Sequence, residues 1–135
     1  MERSPAVEGY FYPSSKKELE EAIEKMITKA KAKELEKEPC AFVVPHAGYI
    51  YSGFVAAHAY KLIKGIDVES IVVIGPNHTG LGKEVSVSLQ NWNTPVGTVE
   101  NDVELSKEIV NCSKLAEFDE YAHAKEHSIE VQLPF

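Results

Sequence analysis

The sequence predicts an α/β fold, a three-layer sandwich in which helices flank a mostly parallel or mixed central sheet. Residues 41–44 (AFVV) and 71–74 (IVVI) are short runs that are apolar throughout, which is typical of strands covered on both faces. Between them, residues 52–64 place apolar side chains at helical spacing. A strand, a helix and a second strand within about 35 residues predict a right-handed βαβ unit.

The first long element is an amphipathic helix. Ser15 is the predicted N-cap, Glu18 completes a capping box, and Pro39 ends the helix, so its predicted range is 15–38. One apolar stripe runs along it, formed by Leu19, Ala22, Ile23, Met26, Ile27 and Ala30. The lysines and glutamates around that stripe indicate a solvated face. We interpret this helix as scaffold.

The later elements are less clear. Alternation of Val85, Val87 and Leu89 with serines predicts a strand with one wetter face. Residues 91–102 are interpreted as loop or turn. A helix is predicted to begin at Asn101 or Asp102, capped in part by Glu104, with inward-facing residues Leu105, Ile109 and Cys112. Residues 113–125 are ambiguous, and residues 126–135 fit either a strand or a helix.

Composition excludes several classes of partner. The net charge of −7 and the lack of a basic cluster argue against binding to nucleic acid or to an anionic membrane. Apolar runs are too short to span a bilayer and the N-terminal residues do not resemble a signal peptide. Cys40 and Cys112 are too few for a disulfide framework and form no C-x-x-C pair. We therefore expect a cytoplasmic protein with two reduced thiols.

The last residues suggest a truncated chain. Ile129, Val131, Leu133 and Phe135 continue an apolar pattern up to the terminus, whereas C-termini are usually polar and frayed. We expect residues 1–135 to form a single α/β domain that is the N-terminal part of a longer one.

Two histidines follow the two predicted strands. His46 comes just after residues 41–44 and His78 just after residues 71–74. Parallel strands end at the same edge of a sheet, where α/β proteins build ligand sites, and neighbouring strands are about 4.8 Å apart. Two converging imidazoles suit Zn, Cu or Fe. A histidine in a strand-end loop is more often a simple polar turn residue, so on spacing alone both interpretations stay open.

Other candidates are weaker. His123 and His127 are four residues apart, which on a helix is one face, but Glu126 is at the wrong offset for H-E-x-x-H. His58 is interpreted as a packing or surface residue and Ser52 as a helix N-cap rather than a nucleophile. Cys40 is expected at the opposite end of its strand from His46. The sequence contains no glycine-rich nucleotide loop and no G-x-S-x-G elbow.

Four longer motifs carry a family resemblance: PHAGYIYSG, IGPNH, NTPVGTVEND and EHSIEVQLPF. The lead-in, residues 1–14, also resembles the family in Arg3, Pro5, Gly9, Tyr12 and Pro13, so the resemblance extends over residues 3–135. Together they resemble the Memo protein family, known in bacteria and archaea as AmmeMemoRadiSam system protein B. The resemblance implies a phosphorylase/extradiol-dioxygenase-like fold, similar to that of class III extradiol dioxygenases.

The resemblance also implies roles for three histidines. His46 and His78 would be metal ligands, and His127 would line the same site as a ligand or general acid/base. Iron or copper is the implied metal, with zinc as an alternative. Family members are about twice as long, and a cysteine that completes their site lies in the half that this chain lacks, so the metal is expected to bind weakly or to be absent here.

Two functions follow from the resemblance as expectations. One is a metal-dependent oxidoreductase acting on a small molecule. The other is a non-catalytic module that binds a peptide or small anion, because Memo proteins are associated with phosphotyrosine-peptide binding; an inactive fragment is the third possibility. A second copy of the chain or a complementing C-terminal chain is the expected protein partner.

Overall fold

A computed structural model describes residues 1–33, 35–37 and 39–135. The α/β class is confirmed: the described residues form three α-helices and five short strands. Their bounds, in chain order, are β1 Glu2–Arg3, α1 Lys16–Lys29, α2 Phe54–Ile63, β2 Val85–Val87, β3 Asn91–Thr94, β4 Gly97–Val99, α3 Val103–Cys112 and β5 Ala116–Phe118.

The strands form two small sheets. In the first, β1 pairs in parallel with β3, and β3 pairs antiparallel with β4. In the second, β2 and β5 are parallel, with Val85 opposite Ala116. Residues 91–102, which we interpreted as loop or turn, thus contain a hairpin with its turn at residues 95–96. The interpretation fits the turn at residues 95–96 but was wrong for β3 and β4, whose polar residues and glycine give no strand pattern.

Helix α1 begins as predicted but ends early. The Ser15 hydroxyl accepts a hydrogen bond from the backbone N–H of Glu18 at 3.5 Å. The helix ends at Lys29, so its predicted continuation is wrong for residues 30–33 and 35–37, while positions 34 and 38 lie outside the described residues. The apolar stripe also stops at Ala30, and a short helix in water depends on burying such a stripe.

The two predicted strands at residues 41–44 and 71–74 are not formed. Both segments are irregular, and no backbone hydrogen bond joins them, although every residue of both is described. Val43 is fully exposed and Ile74 is 88% exposed. A doubly apolar strand needs a ladder partner and cover on both faces, and the described residues supply neither. The βαβ unit therefore lacks its strands.

The predicted second helix is present as α2. It is preceded by a π-helical turn, Tyr49–Gly53, and followed by Gly65 at a φ of +88°. Ser52 is not an N-cap: it lies inside the π turn and its hydroxyl donates to the Ala47 carbonyl at 3.0 Å.

Helix α3 confirms the predicted start at Asp102. Its carboxylate accepts from the backbone N–H of Leu105 at 2.9 Å. Cys112 is exposed, against our expectation of an inward position, and Cys40 is exposed as well. Of the ambiguous segments, residues 116–118 form β5 and residues 130–132 form a short 3-10 helix.

The core lies between the lead-in, α1, the π turn and the last residues. Its buried members are Tyr12, Leu19, Tyr49 and Val131. Gly53 lets the π turn approach α1, since a Cβ there would lie 2.7 Å from Met26 Sδ. Among the described residues, no helix combines the length and the apolar character needed to cross a bilayer.

A buried ion pair joins the lead-in to the C-terminal segment. Arg3 Nη1 lies 2.8 Å from Glu130 Oε2, and the two side chains are 4% and 0% exposed. Glu130 also accepts hydrogen bonds from the Tyr12 hydroxyl and from the backbone N–H groups of Ala6 and Val7. Burial, reinforced by Glu130, raises the pKa of Tyr12. This carboxylate is therefore fully paired, as a buried charge must be.

We expect Glu130→Gln to lower the free energy of unfolding by roughly 3–5 kcal/mol, because it leaves Arg3 buried without a counter-charge. Urea denaturation measures the change. The matched control, Glu21→Gln, breaks the exposed Lys17–Glu21 pair and should cost less than about 1 kcal/mol. Equal losses in the two variants would show that the buried pair does not support the fold.

Candidate metal centre

Three histidines converge on one point of the structure. Nε2 of His46 lies 3.3 Å from Nε2 of His78, and one ring nitrogen from each of His46, His78 and His127 lies within 4.8 Å of the other two. The spacing argument therefore placed the first two imidazoles correctly, although the strands on which it relied are absent. The third histidine is the one that the family resemblance named.

His123 and His58 lie apart from this cluster. Residues 121–125 form turns rather than a helix, so His123 and His127 do not share a helix face. The His123 ring packs edge-on against Trp92 at 5.6 Å, and burial lowers its pKa. His58 faces the Phe54 carbonyl of its own helix, which agrees with our interpretation of it as a packing or surface residue.

Short loops present the first two imidazoles. His46 stands between the irregular residues 41–45 and the π turn. His78 belongs to a tight loop that Asn77 closes, because its Oδ1 accepts from the backbone N–H groups of Thr79 and Gly80, both at 3.1 Å. Gly80 adopts a φ of +68°, which favours glycine.

Glu126 organises the cluster, and sequence analysis missed it. Its Oε1 lies 2.9 Å from His78 Nδ1, and its Oε2 accepts from the His78 backbone N–H at 2.6 Å. It also accepts from the backbone N–H groups of His127 and Ser128. Burial alone would raise the pKa of Glu126, but these hydrogen bonds outweigh it and lower the pKa to about 2. The sequence signal for this role was an acidic residue directly before the candidate ligand His127. We compared that acid only with the H-E-x-x-H motif.

The carboxylate fixes which nitrogen of His78 is free. An ionised Glu126 is an acceptor only, so His78 Nδ1 must carry a proton, and in the neutral ring the lone pair is then on Nε2. That lone pair points toward His46. A carboxylate that orients an imidazole in this way is the usual outer support of a metal ligand.

The surroundings of His127 favour its neutral form. Its ring stacks on His78 at 4.6 Å and packs against Phe11 at 4.8 Å. Burial lowers the pKa of His127, the neighbouring His78 and His46 lower it further, and Glu126 opposes them. A neutral imidazole is the form that binds a metal or accepts a proton.

The geometry fits a small transition-metal ion. Two nitrogens bound at about 2.0–2.1 Å to a tetrahedral ion lie roughly 3.3 Å apart, which equals the observed His46–His78 separation. The His127 nitrogen lies within 4.8 Å, so a small side-chain movement would complete a three-nitrogen site. An all-imidazole donor set suits Zn, Cu and Fe and not Mg or Ca.

A groove of about 600 Å³ opens beside two of these histidines. His46 and His127 form part of its wall, and the rest is mainly aromatic and aliphatic. Phe11 lies within it, and the side chains of Tyr10, Ile50 and Tyr51 are largely exposed at its edge. A ligand in this groove would therefore lie next to the imidazole cluster.

Comparison with known proteins identifies the family. The sequence profile described as Memo-like protein matches residues 3–135. Proteins described as MEMO1 family proteins are 52% identical in Aquifex aeolicus, 48% in Desulfurococcus amylolyticus and 43% in Nitrosopumilus maritimus. These alignments cover 98%, 98% and 99% of this chain and 48%, 50% and 50% of the respective relatives. The chain thus spans about half the length of the curated relatives that it matches.

The match includes every element that positions the three histidines, and the motifs that first suggested the family lie within it. The chain belongs to the Memo-like protein family.

Proposed function

We propose that this chain supplies a three-histidine metal site to a metal-dependent oxidoreductase related to class III extradiol dioxygenases. The observation that supports the proposal is the convergence of ring nitrogens from His46, His78 and His127 within 4.8 Å. Copper or iron is the metal that we propose, with zinc as the alternative, because all three accept imidazole donors.

The residues divide the work of the site. His46 and His78 would hold the ion, and Glu126 keeps His78 in the tautomer that binds it. A metal bound here would supply oxygen activation or polarise a substrate oxygen. His127 is partly exposed and its pKa is lowered by burial, and it would act as a third ligand or exchange a proton with the substrate as general acid/base.

The groove beside the histidines would hold the substrate. Its apolar, partly aromatic wall fits a small molecule or one side chain of a peptide, and His46 and His127 would face the bound group. A non-catalytic module would use the same groove to capture such a ligand. Both functions therefore share a binding site and differ in turnover.

The protein partner that we propose is the second half of a Memo-family protein. Five large apolar side chains of residues 41–44 and 71–74 are exposed, and we call them the apolar face: Phe42, Val43, Ile71, Val72 and Ile74. Monomeric proteins rarely expose so many neighbouring apolar residues without a partner. The matched relatives are about twice as long as this chain, so they contain a second half that could cover these residues. Its docking would give residues 41–44 and 71–74 the cover that strands of a sandwich require.

Metal content tests the site directly. In equilibrium dialysis against Cu(II), Fe(II) or Zn(II), we expect the 135-residue chain to bind close to one ion per chain at saturation for at least one metal. His46→Ala and His78→Ala should lose this binding because each removes a metal ligand, and His127→Ala should bind more weakly, whereas His58→Ala, on the surface of α2, should bind as the unmodified chain does. Unchanged binding in His46→Ala and His78→Ala, or no bound ion in the unmodified chain at saturating metal, would contradict the proposal.

Turnover separates the enzyme from the binding module. With metal bound, and with the complementing half present, we expect oxygen uptake in the presence of a catechol, and its loss in His127→Ala. An oxygen electrode measures the rate. A complex that binds metal and catechol but consumes no oxygen would favour the non-catalytic module.

Complementation tests the apolar face. We expect the remaining half of the Aquifex aeolicus relative to form a one-to-one complex with this chain, measured by analytical ultracentrifugation. Val43→Asp and Ile74→Asp should weaken it at least tenfold, while Tyr121→Asp, an exposed aromatic outside the face, should not. Self-association of this chain to the exclusion of the added half would show that a second copy covers the face instead.

A further inference from the structure

We propose that Gln132 is a positioning residue for His46, acting through the carbonyl of Pro45. This inference rests on the proposed metal site and extends it to a residue that contacts none of the three imidazoles in the structure. It concerns how a loop without regular secondary structure can hold a ligand nitrogen in place.

The side-chain amide of Gln132 is buried, and both its nitrogen and its oxygen form hydrogen bonds. Its Nε2 donates to the Pro45 carbonyl at 3.1 Å, and its Oε1 accepts from the Tyr60 hydroxyl at 2.8 Å. Gln132 is only 8% exposed. The Tyr60 ring is itself stacked on Phe135 at 4.7 Å with an interplanar angle of 6°. The amide is thus anchored by α2 on one side and holds the His46 loop on the other.

The Pro45 carbonyl is the natural attachment point for this loop. Proline has no backbone N–H, so the carbonyl is its only hydrogen-bonding group. Because His46 follows directly, holding the Pro45 carbonyl restricts the peptide plane from which the His46 side chain projects. On the other side of His46, the Tyr49 hydroxyl donates to the Val131 carbonyl at 2.9 Å. Residues 131 and 132 therefore hold the chain both before and after His46.

The same C-terminal segment holds the second histidine loop in a similar way. The Ser128 hydroxyl donates to the Pro76 carbonyl at 3.0 Å, two residues before His78. Gly75 permits this approach, because a Cβ at that position would collide with the Ser128 hydroxyl. One segment thus attaches both loops through proline carbonyls, and it also contributes His127.

The test replaces Gln132 with methionine, which keeps the length and the burial but removes both hydrogen bonds. Co(II) titration should show roughly tenfold weaker binding, the lower end of the effect of losing an outer support, together with a changed visible spectrum of the bound ion. In the metal-free chain, the NMR signals of the His46 ring should shift. Tyr60→Phe should weaken binding less, because it leaves the bond from Gln132 to Pro45 in place.

Ser88→Ala is the matched control. It removes a buried side-chain hydrogen bond, from the Ser88 hydroxyl to Glu120 at 2.7 Å, in a network that does not include the three histidines. We expect Co(II) affinity within twofold of the unmodified chain and unchanged His46 signals. Loss of affinity equal to that of Gln132→Met would indicate general destabilisation and would overturn the positioning role.

The outcomes separate this inference from the proposed function. If the unmodified chain binds no metal but Gln132→Met shifts the His46 signals, the metal function fails and the positioning role stands. If the unmodified chain binds metal and Gln132→Met changes neither affinity, spectrum nor His46 signals, the positioning role is wrong. Should Gln132→Met fail to fold, Gln132→Glu decides by the same readouts, because its ionised form keeps the shape of the side chain but removes the donor to Pro45, and no change in it would overturn the inference.

Discussion

The buried carboxylate of Glu130 is the interaction on which the rest of this structure depends. It accepts hydrogen bonds from the Tyr12 hydroxyl and two backbone N–H groups of the lead-in, and it pairs with Arg3. Arg3 in turn donates to the carbonyls of His123 and Glu126 at 2.8 and 2.6 Å, and lies 4.0 Å above the Trp92 ring. The lead-in and the C-terminal segment are therefore one connected unit, despite more than a hundred residues between them.

That unit determines where the candidate metal site forms. Glu126 and His127 lie between His123 and Glu130, both of which Arg3 contacts, so these contacts fix the segment that supplies a ligand and an orienting carboxylate independently of either histidine loop. Glu126 then holds His78 through its ring and its backbone, and Gln132 holds the residue before His46. The site is thus assembled on a buried polar network rather than on the edge of a completed sheet. Such networks are stable only when every member is satisfied, and no buried polar side-chain atom of the described residues lacks a partner.

The sequence predicted those features of the structure that depend on residues close together in the chain. The caps at Ser15 and Asp102 are formed as expected, because each depends on residues three positions apart. The proximity of His46 and His78 was also predictable, since each follows an apolar run. The two strands assumed in that prediction are nevertheless absent. The third histidine came from the family resemblance, not from the spacing of His123 and His127.

What the sequence could not predict depends on distant partners. Residues 41–44 and 71–74 have the composition of buried strands, yet they remain irregular because the described residues offer no ladder to join. The roles of Glu126 and Glu130 were not predictable either, since neither motif nor periodicity distinguishes a carboxylate that accepts from four groups in the folded state.

Pulsed EPR of the Cu(II)-loaded chain, with histidine labelled with 15N, tests the central claim most directly. The account predicts coupling to three imidazoles, reduced to two in His127→Ala, and coupling to one imidazole or none would contradict it.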